Sequence, residues 1–310
     1  MLPVVDNIVP VFVVILAGRV LVRYGFVPAG FFKASDRLVY YFFFPAMLFW
    51  EIGRAGRVAV EGGLLWSVVG AITAGHLLSI LYIKASGVDR YLAGSFSQLS
   101  FRFNTYVGLA VVVSALGDAG VVHFGLIISV AIPLINVLAV GTLIWFSQGD
   151  YSLREKAGLV VKAMLANPLI IACLAGLAWA WLEIGFPKFL NQTFRLITTA
   201  ALPLALLSIG GSLTLERLRG YLAPALASSA IKLAGLPLAG WVLLRVLGVT
   251  GVSFQTAMIY LALPTAATAG ILSSQLGSDP DLAAAGVVTS TFLSFFSLSL
   301  VLLLFGGGAA

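Results

Sequence analysis

A cluster of polar side chains interrupts an otherwise apolar stretch between Tyr91 and Gly117. The cluster combines one guanidinium with amide and hydroxyl groups; its members are Gln98, Ser100, Arg102, Asn104 and Thr105. These groups donate hydrogen bonds, and the stretch contains no Asp or Glu. Donors beside a positive charge suit a carboxylate, and Phe101, Phe103 and Tyr106 suit a modest apolar body on it. The cluster therefore predicts a site for a small organic anion.

A second interruption lies in the apolar stretch from Phe254 to Leu276, which contains Pro264, Thr265, Thr268 and Gly270. A proline inside a helix removes a backbone hydrogen bond and costs about 3 kcal/mol. Asn and Thr side chains also compete for backbone groups and favour a break. Asn104 aligns with Pro264 at an offset of 160 residues. We therefore expect two broken helices whose breaks meet near the membrane midplane, with helix N-termini directed at the ligand.

This offset belongs to an internal repeat. Short segments recur in order along the chain: Leu16-Ala17-Gly18 as Leu174-Ala175-Gly176, Leu116-Gly117 as Leu276-Gly277, and Ala119-Gly120-Val121-Val122 as Ala285-Gly286-Val287-Val288. The offset grows from 158 to 166, as small loop insertions into a duplicated ancestor would cause. Duplicated halves in a membrane protein are typical of secondary transporters.

The composition indicates an integral membrane protein. Hydrophobic residues make up 60% of the chain and charged residues 10%, with a mean hydropathy of +1.07. Soluble domains carry about 25% charged residues. A span needs about 20 apolar residues, and ten spans are predicted: 7–24, 36–53, 63–83, 91–117, 120–146, 165–184, 190–213, 221–247, 253–276 and 282–305. The single Cys173 lies in an apolar run and is expected to pack in the core.

The predicted organisation is a first five-helix repeat over residues 1–146, a cytoplasmic linker over 147–162 and a second repeat over 163–310. Five spans per half is an odd number, so the second repeat must be inverted. Positive residues fall unevenly on the two sides of the membrane. One side has Arg19, Arg23, Lys33, Arg37, Lys84, Arg90, Arg154, Lys156, Lys162, Arg217 and Arg219; the other has Arg54, Arg57, Lys188, Arg195 and Arg245. The first side is therefore predicted to be cytoplasmic, with both termini outside the cell membrane.

Several function classes are disfavoured. The basic residues are scattered, which argues against nucleic-acid binding. No phosphate-binding loop of the Gly-x-x-x-x-Gly-Lys-Ser/Thr type is present, so ATP is not the direct energy source. Two separated histidines and one cysteine offer neither a metal cluster nor a nucleophile–base pair, so no enzyme, metal or cofactor is predicted. The alternative to an anion carrier is a cation/proton antiporter or a channel.

Several segments resemble the auxin efflux carrier family, which includes the plant PIN-type carriers and many bacterial permeases. They are Leu38-Val-Tyr-Tyr-Phe-Phe-Phe-Pro45-Ala-Met-Leu-Phe49, Asn104-Thr105 with Gly108, Asn167-Pro168-Leu-Ile, Ala201-Leu-Pro203-Leu-Ala-Leu-Leu-Ser-Ile-Gly210 and Leu261-Ala-Leu-Pro264-Thr-Ala. The resemblance implies an all-α polytopic fold of ten transmembrane helices as two inverted five-helix repeats, with broken, crossing helices 4 and 9. It also implies a scaffold of spans 1, 2, 6 and 7, a transport domain of spans 3–5 and 8–10, elevator-type exchange and a homodimer.

The sequence leaves open the roles of four residues inside the spans. Asn104 fits a substrate contact or a packing amide, and Arg102 fits an anion contact or a structural cap. Lys232 fits charge neutralisation of an anion or a bond to the carbonyl end of a broken helix. His76 fits proton coupling or packing.

Five further positions are predicted hinges or crossover points: Gly108, Pro264, Gly270, Pro45 and Pro203. Family members often carry a proline where this chain has Phe103 or Ala110. The break in span four is therefore expected to depend on Asn104, Thr105 and Gly108.

Overall fold

The computed structural model describes residues 6–55, 62–147, 158, 167–213, 218, 220–266 and 268–306. In these residues the chain is all-α and contains no strand. The predicted linker over residues 147–162 lies outside the described residues, apart from residues 147 and 158.

The helices are numbered here in chain order. They are α1 (Val9–Arg23), α2 (Ala29–Leu38), α3 (Phe44–Arg54), α4 (Gly62–Ser86), α5 (Arg90–Leu99), α6 (Thr105–Phe146), α7 (Pro168–Trp181), α8 (Lys188–Ser212), α9 (Leu222–Ala230), α10 (Leu236–Val246), α11 (Gly251–Leu261), α12 (Ala269–Gln275) and α13 (Pro280–Phe305). A first π turn (Val39–Phe43) joins α2 to α3, and a second π turn (Ile231–Gly235) joins α9 to α10.

Five helical stretches in the described residues are long and apolar enough to cross a membrane: Gly62–Ser86, Thr105–Phe146, Lys188–Ser212, Leu222–Val246 and Pro280–Phe305. A shorter apolar helix covers Pro168–Trp181. These helices and their exposed apolar side chains, such as Trp66 and Leu196, are those of an integral membrane protein. The helices overlap all ten predicted spans, while the number of crossings stays a prediction.

Side-chain caps explain where four helices begin. Asp89, Asn104, Asn167 and Asp279 each precede a helix and accept hydrogen bonds from backbone N–H groups of its first turn. Asn167 and Asp279 are followed by proline, which suits the first helical position because it has no N–H to leave unpaired. The Asn167-Pro168 segment noted in the sequence is therefore a helix start.

The long helix α6 consists of two helices that meet at Gly117. This residue has φ 60° and ψ −152°, a conformation that side chains disfavour. The predicted boundary between spans four and five, at residues 117–120, coincides with this kink. Pro133 lies within the second of the two helices.

Each π turn immediately precedes a proline. Pro45 follows Val39–Phe43, and Pro237 follows Ile231–Gly235, both near the first position of the next helix. Proline clashes with the carbonyl four residues earlier, and a wider i→i+5 turn relieves that clash. Pro203, by contrast, lies inside α8 without a π turn. The two π turns shift the helix face that the side chains after them occupy.

Helix contacts fall into two groups. In one group α1 packs against α8 and α3 against α7; in the other α4 packs against α10, α9 against α13 and α11 against α6. Helices α1 and α8 approach closely because Gly18 and Gly210 have no side chain: a Cβ at either would overlap the backbone of the other helix. α6 also contacts α3, α7 and α8, and thereby links the groups.

Candidate functional site

The two predicted breaks meet in the structure. The chain is non-helical between Leu99 and Thr105, and again at residues 262–266 and 268. The backbone N–H of Asn104 donates a hydrogen bond of 2.8 Å to the carbonyl of Pro264. The two residues that align in the internal repeat are therefore direct partners.

Asn104 is buried and caps α6. Its Oδ1 accepts hydrogen bonds from the backbone N–H groups of Tyr106, at 3.0 Å, and Val107, at 3.3 Å. Thr105 is the first residue of that helix. Within the described residues the Asn104 amide nitrogen has no hydrogen-bond acceptor. Asn104 thus combines a structural bond with donors that remain available to a ligand.

Thr265 fastens the second break to the first. Its hydroxyl donates to the carbonyl of Leu99 at 2.8 Å, and its N–H donates to the Ser290 hydroxyl at 3.1 Å. The side chain is fully buried. Backbone groups released by one break are therefore paired by residues of the other elements, as the interior of a membrane protein requires.

Arg102 carries a buried guanidinium with two unpaired nitrogens. Its Nη2 donates to the Thr268 hydroxyl at 3.3 Å, while Nε and Nη1 are buried without a partner in the described residues. Tyr40, in the first π turn, lies within electrostatic range of the guanidinium. An unpaired buried donor is costly, especially on a charged group. Two donors of Arg102 are therefore left without a partner in the described residues, beside both breaks.

Tyr106 is packed against the ring of Phe44, with ring centroids 4.7 Å apart. Asp36, in α2, lies within electrostatic range of Tyr106 and accepts a hydrogen bond from Ser208. No carboxylate was predicted near either break, and Asp36 corrects that expectation. Its position could not be predicted because it lies 68 residues before Asn104, and only tertiary packing brings it near.

Lys232, in the second π turn, is only 1% exposed. Its Nζ donates a hydrogen bond of 3.1 Å to the carbonyl of Leu261, the last residue of α11. Of the two alternatives for this residue, the bond to the carbonyl end of a broken helix is the one observed.

His76 lies in α4 beside the first break. Its ring packs edge-on against Phe101, with centroids 5.3 Å apart, and its buried Nδ1 has no hydrogen-bond partner in the described residues. Both alternatives for His76, coupling and packing, remain compatible with this position.

The predicted hinge residues differ in their surroundings. A Cβ at Gly108 would lie 2.5 Å from Leu263 Cδ1 and 2.6 Å from Phe124 Cζ, so α6 needs a glycine there to pack against the second break. A Cβ at Gly270 would meet nothing closer than 3.9 Å. Gly270 belongs to α12, which has only seven residues, whereas α6 provides the long helix N-terminus at the site.

Two cavities lie elsewhere in the described part of the molecule, and the residues of the two breaks line neither of them. The larger, of about 390 Å³, is apolar and lies between α1 and α13, lined among others by Phe12, Leu16, Phe292 and Phe296. The smaller, of about 30 Å³, is lined by residues including Asn7, Gln255 and Phe305. No group of three His, Cys, Asp or Glu side chains in the described residues is arranged to hold a metal ion.

Comparison with known proteins identifies the family of this chain. A family model described as "Membrane transport protein" matches residues 3–302. An "Uncharacterized transporter" of Methanothermobacter thermautotrophicus is 24% identical over 299 residues, which is 95% of this chain and 96% of the relative. A "Putative malonate transporter" of Rhizobium meliloti is 25% identical over 289 residues, which is 91% of this chain and 84% of the relative.

Proposed function

Because this chain belongs to the membrane transport protein family, the family of the PIN-like auxin efflux carriers, we propose that it carries a small carboxylate anion across the cell membrane. The chain is a membrane transporter and not an enzyme. The substrate class is our inference: a monocarboxylate or dicarboxylate, for which malonate is the first probe because a relative is named for it.

The observation that carries the proposal is the guanidinium of Arg102, whose Nε and Nη1 are buried and unpaired beside two broken helices. A carboxylate there would accept bonds from these nitrogens and from the Asn104 amide, beside the positive end of the α6 helix dipole. Thr105, Tyr106 and Thr268 surround the same point, and Pro264 and Thr265 hold it together.

For the mechanism we propose elevator-type alternating access in ten transmembrane helices arranged as two inverted five-helix repeats. The scaffold would consist of spans 1, 2, 6 and 7, which include α1, α3, α7 and α8, and these helices pack on one another. The transport domain would consist of spans 3–5 and 8–10. Gly108, Gly270, Pro45 and Pro203 are the proposed flexible or crossover points, and both termini are proposed to lie outside.

The exposed face of α8 supports a homodimer. Gln192, Arg195 and Thr199 are exposed and recur every three or four residues, so they lie on one face of a helix that is apolar enough to span the membrane. Polar and charged groups facing lipid are expensive. A second copy covering this face would shield them, and cross-linking of Thr199→Cys in membranes, giving a band of twice the monomer mass, tests this.

Asp36 is the feature that favours the alternative, a cation/proton antiporter or a channel, because it places a carboxylate near Tyr106. His76 would be the coupling group in that case. Asp36 is already bonded to Ser208, whereas Arg102 has unpaired donors, so the anion carrier is the better supported function.

The experiment is uptake of radiolabelled malonate into liposomes containing the purified protein. We expect saturable uptake that unlabelled malonate inhibits and that its neutral diamide, malonamide, does not. Inhibition of malonate uptake by acetate and by indole-3-acetate shows whether the site also accepts monocarboxylates and larger acids. Preferential inhibition by an amine would overturn the anion assignment, and an unsaturable ion current would show a channel.

A further inference from the structure

Lys232 places an amino group in the interior of the bundle, where no carboxylate of the described residues pairs with it. The ion pairs found in the described residues join Arg54 to Glu51 and to Asp118, and Lys232 takes part in neither. Its side chain is 1% exposed, and its Nζ donates a hydrogen bond to one backbone carbonyl, that of Leu261. Such a group is expensive in a membrane interior, so its position calls for a specific role.

The partner of Lys232 is the carbonyl end of a half-helix. α11 ends at Leu261, and the backbone then leaves the helical conformation through Ala262 and Leu263 to Pro264. The last carbonyls of a helix lack intrahelical donors and together carry about half a negative charge. In carriers built from broken helices, such ends and the unwound carbonyls beside them coordinate the coupling cation.

Ser229, which lies beside the second π turn, offers a further oxygen if the ammonium is absent. Ser229 lies three residues before Lys232, is 2% exposed, and its hydroxyl has no hydrogen-bond partner in the described residues. Residues three apart lie on the same side of a helix. The Leu261 carbonyl and the Ser229 hydroxyl are oxygen donors, the ligand type that hard cations prefer.

We propose that the ammonium of Lys232 substitutes for a coupling cation at the carbonyl end of α11, so that this carrier needs no sodium ion. This inference rests on the proposed transport function. The ammonium supplies, from the second π turn, the positive charge that a bound ion would otherwise supply. Removing the side chain vacates a space lined by the Leu261 carbonyl and converts it into a site for a free alkali cation.

The first test needs no substrate and so separates this proposal from the transport assignment. The melting temperature of the purified protein is measured in sodium, potassium and choline chloride at equal ionic strength. We expect the same value for the unaltered protein in all three salts. For Lys232→Ala we expect a saturable rise of about 3 °C or more in sodium, since a ligand that binds only the folded state stabilises it.

Three further variants show whether charge or volume is responsible. Lys232→Arg keeps the charge and Lys232→Met fills the space without it, so neither is expected to respond to sodium. Lys232→Ser is the second cavity variant, in case Lys232→Ala does not fold. A sodium response in the unaltered protein, or folded Ala and Ser variants that ignore every alkali cation, would overturn the proposal.

The second test uses malonate uptake. The uptake rate of the unaltered protein should differ by no more than about twofold between sodium and choline buffers. The uptake rate of Lys232→Ala should be at least about tenfold higher in sodium than in choline. A lysine that serves only as a helix cap would give a variant that is impaired equally in both salts.

Discussion

At the scale of single residues, Asn104 and Asn167 make the same pair of capping bonds in different places. Each accepts hydrogen bonds from two backbone N–H groups at the start of a helix, Asn104 at α6 and Asn167 at α7. Asn104 also bonds Pro264 across the crossing. Comparing variants at the two positions therefore distinguishes the loss of a helix cap from the loss of a ligand contact.

We expect Asn104→Ala and Asn167→Ala to cost similar stability, about 1 kcal/mol for the lost cap. Only Asn104→Ala should lower malonate uptake, by tenfold or more, because the proposed site also uses its amide to bind the ligand. Thermal unfolding and liposome uptake of both variants provide the measurement. Equal uptake by the two would mean that Asn104 is a packing and capping amide.

For Arg102→Gln we expect weaker binding of malonate by about 10- to 100-fold, the range for a hydrogen bond to a charged group. Binding of malonamide should change far less, because the amide carries no charge for the guanidinium to attract. Arg245→Gln is the control, since Arg245 lies over the ring of Phe254, 5.0 Å away, in the outer part of α10. Calorimetric titration measures the affinity for both ligands. An equal loss of affinity for malonate and malonamide would mean that Arg102 stabilises the helix break instead of binding the anion.

Part of this site could be predicted from the sequence, because some of its residues are marked by the internal repeat or by their immediate neighbours. Asn104 and Pro264 were paired through the offset of 160 residues, and the structure joins them with a 2.8 Å hydrogen bond. Tyr40 and Asp36 were not predicted as neighbours of Arg102 and Tyr106. Both residues lie more than 60 positions before Arg102 and Tyr106, outside the repeat signal, and only tertiary packing brings them near.

At the scale of helices, the contact between α3 and the kink of α6 is ionic. The Arg54 guanidinium binds Glu51 within α3 and Asp118 beside the Gly117 kink, both at 2.7 Å, and it also lies 4.5 Å from the centre of the Trp50 ring. α3 belongs to the proposed scaffold and this part of α6 to the proposed transport domain. The pair must break if the two move relative to each other.

Asp118→Asn should therefore change the uptake rate more than the stability. Asp118 is 72% exposed, so the pair contributes at most about 1 kcal/mol to stability. We expect a change of at least about twofold in maximal uptake rate, and a smaller dependence of that rate on salt. Glu51→Gln, which removes the charge of the Arg54 partner inside α3, is the control. An equal change in uptake rate in both variants would contradict a role for the Arg54–Asp118 pair between the two domains.

Element boundaries were predictable where the chain carries an explicit signal. The Gly117 kink, the Asn167-Pro168 start and the break at Pro264 all follow from glycine, capping or proline residues visible in the sequence. Pro45 and Pro203 were both read as kinks, yet only Pro45 follows a π turn. The difference depends on which neighbouring helix packs at each proline, and that information is not local.

At the scale of the whole molecule, the proposed orientation depends on eleven positive residues facing one side and five the other. The structure supplies two well-placed positions for testing it. Ser86 ends α4 on the side predicted to be cytoplasmic, and Gly185 lies between α7 and α8 on the side predicted to be external. Both are exposed, and a Cβ at Gly185 would contact nothing within 4 Å.

A membrane-impermeant thiol reagent should therefore label Gly185→Cys in intact cells and Ser86→Cys only after permeabilisation. The natural Cys173 is fully buried, so the background from the unaltered protein should be low. Two positions on opposite sides of the bundle also control for leakage, because damaged cells would label both. Labelling of Ser86→Cys alone in intact cells would reverse the orientation and place both termini in the cytoplasm.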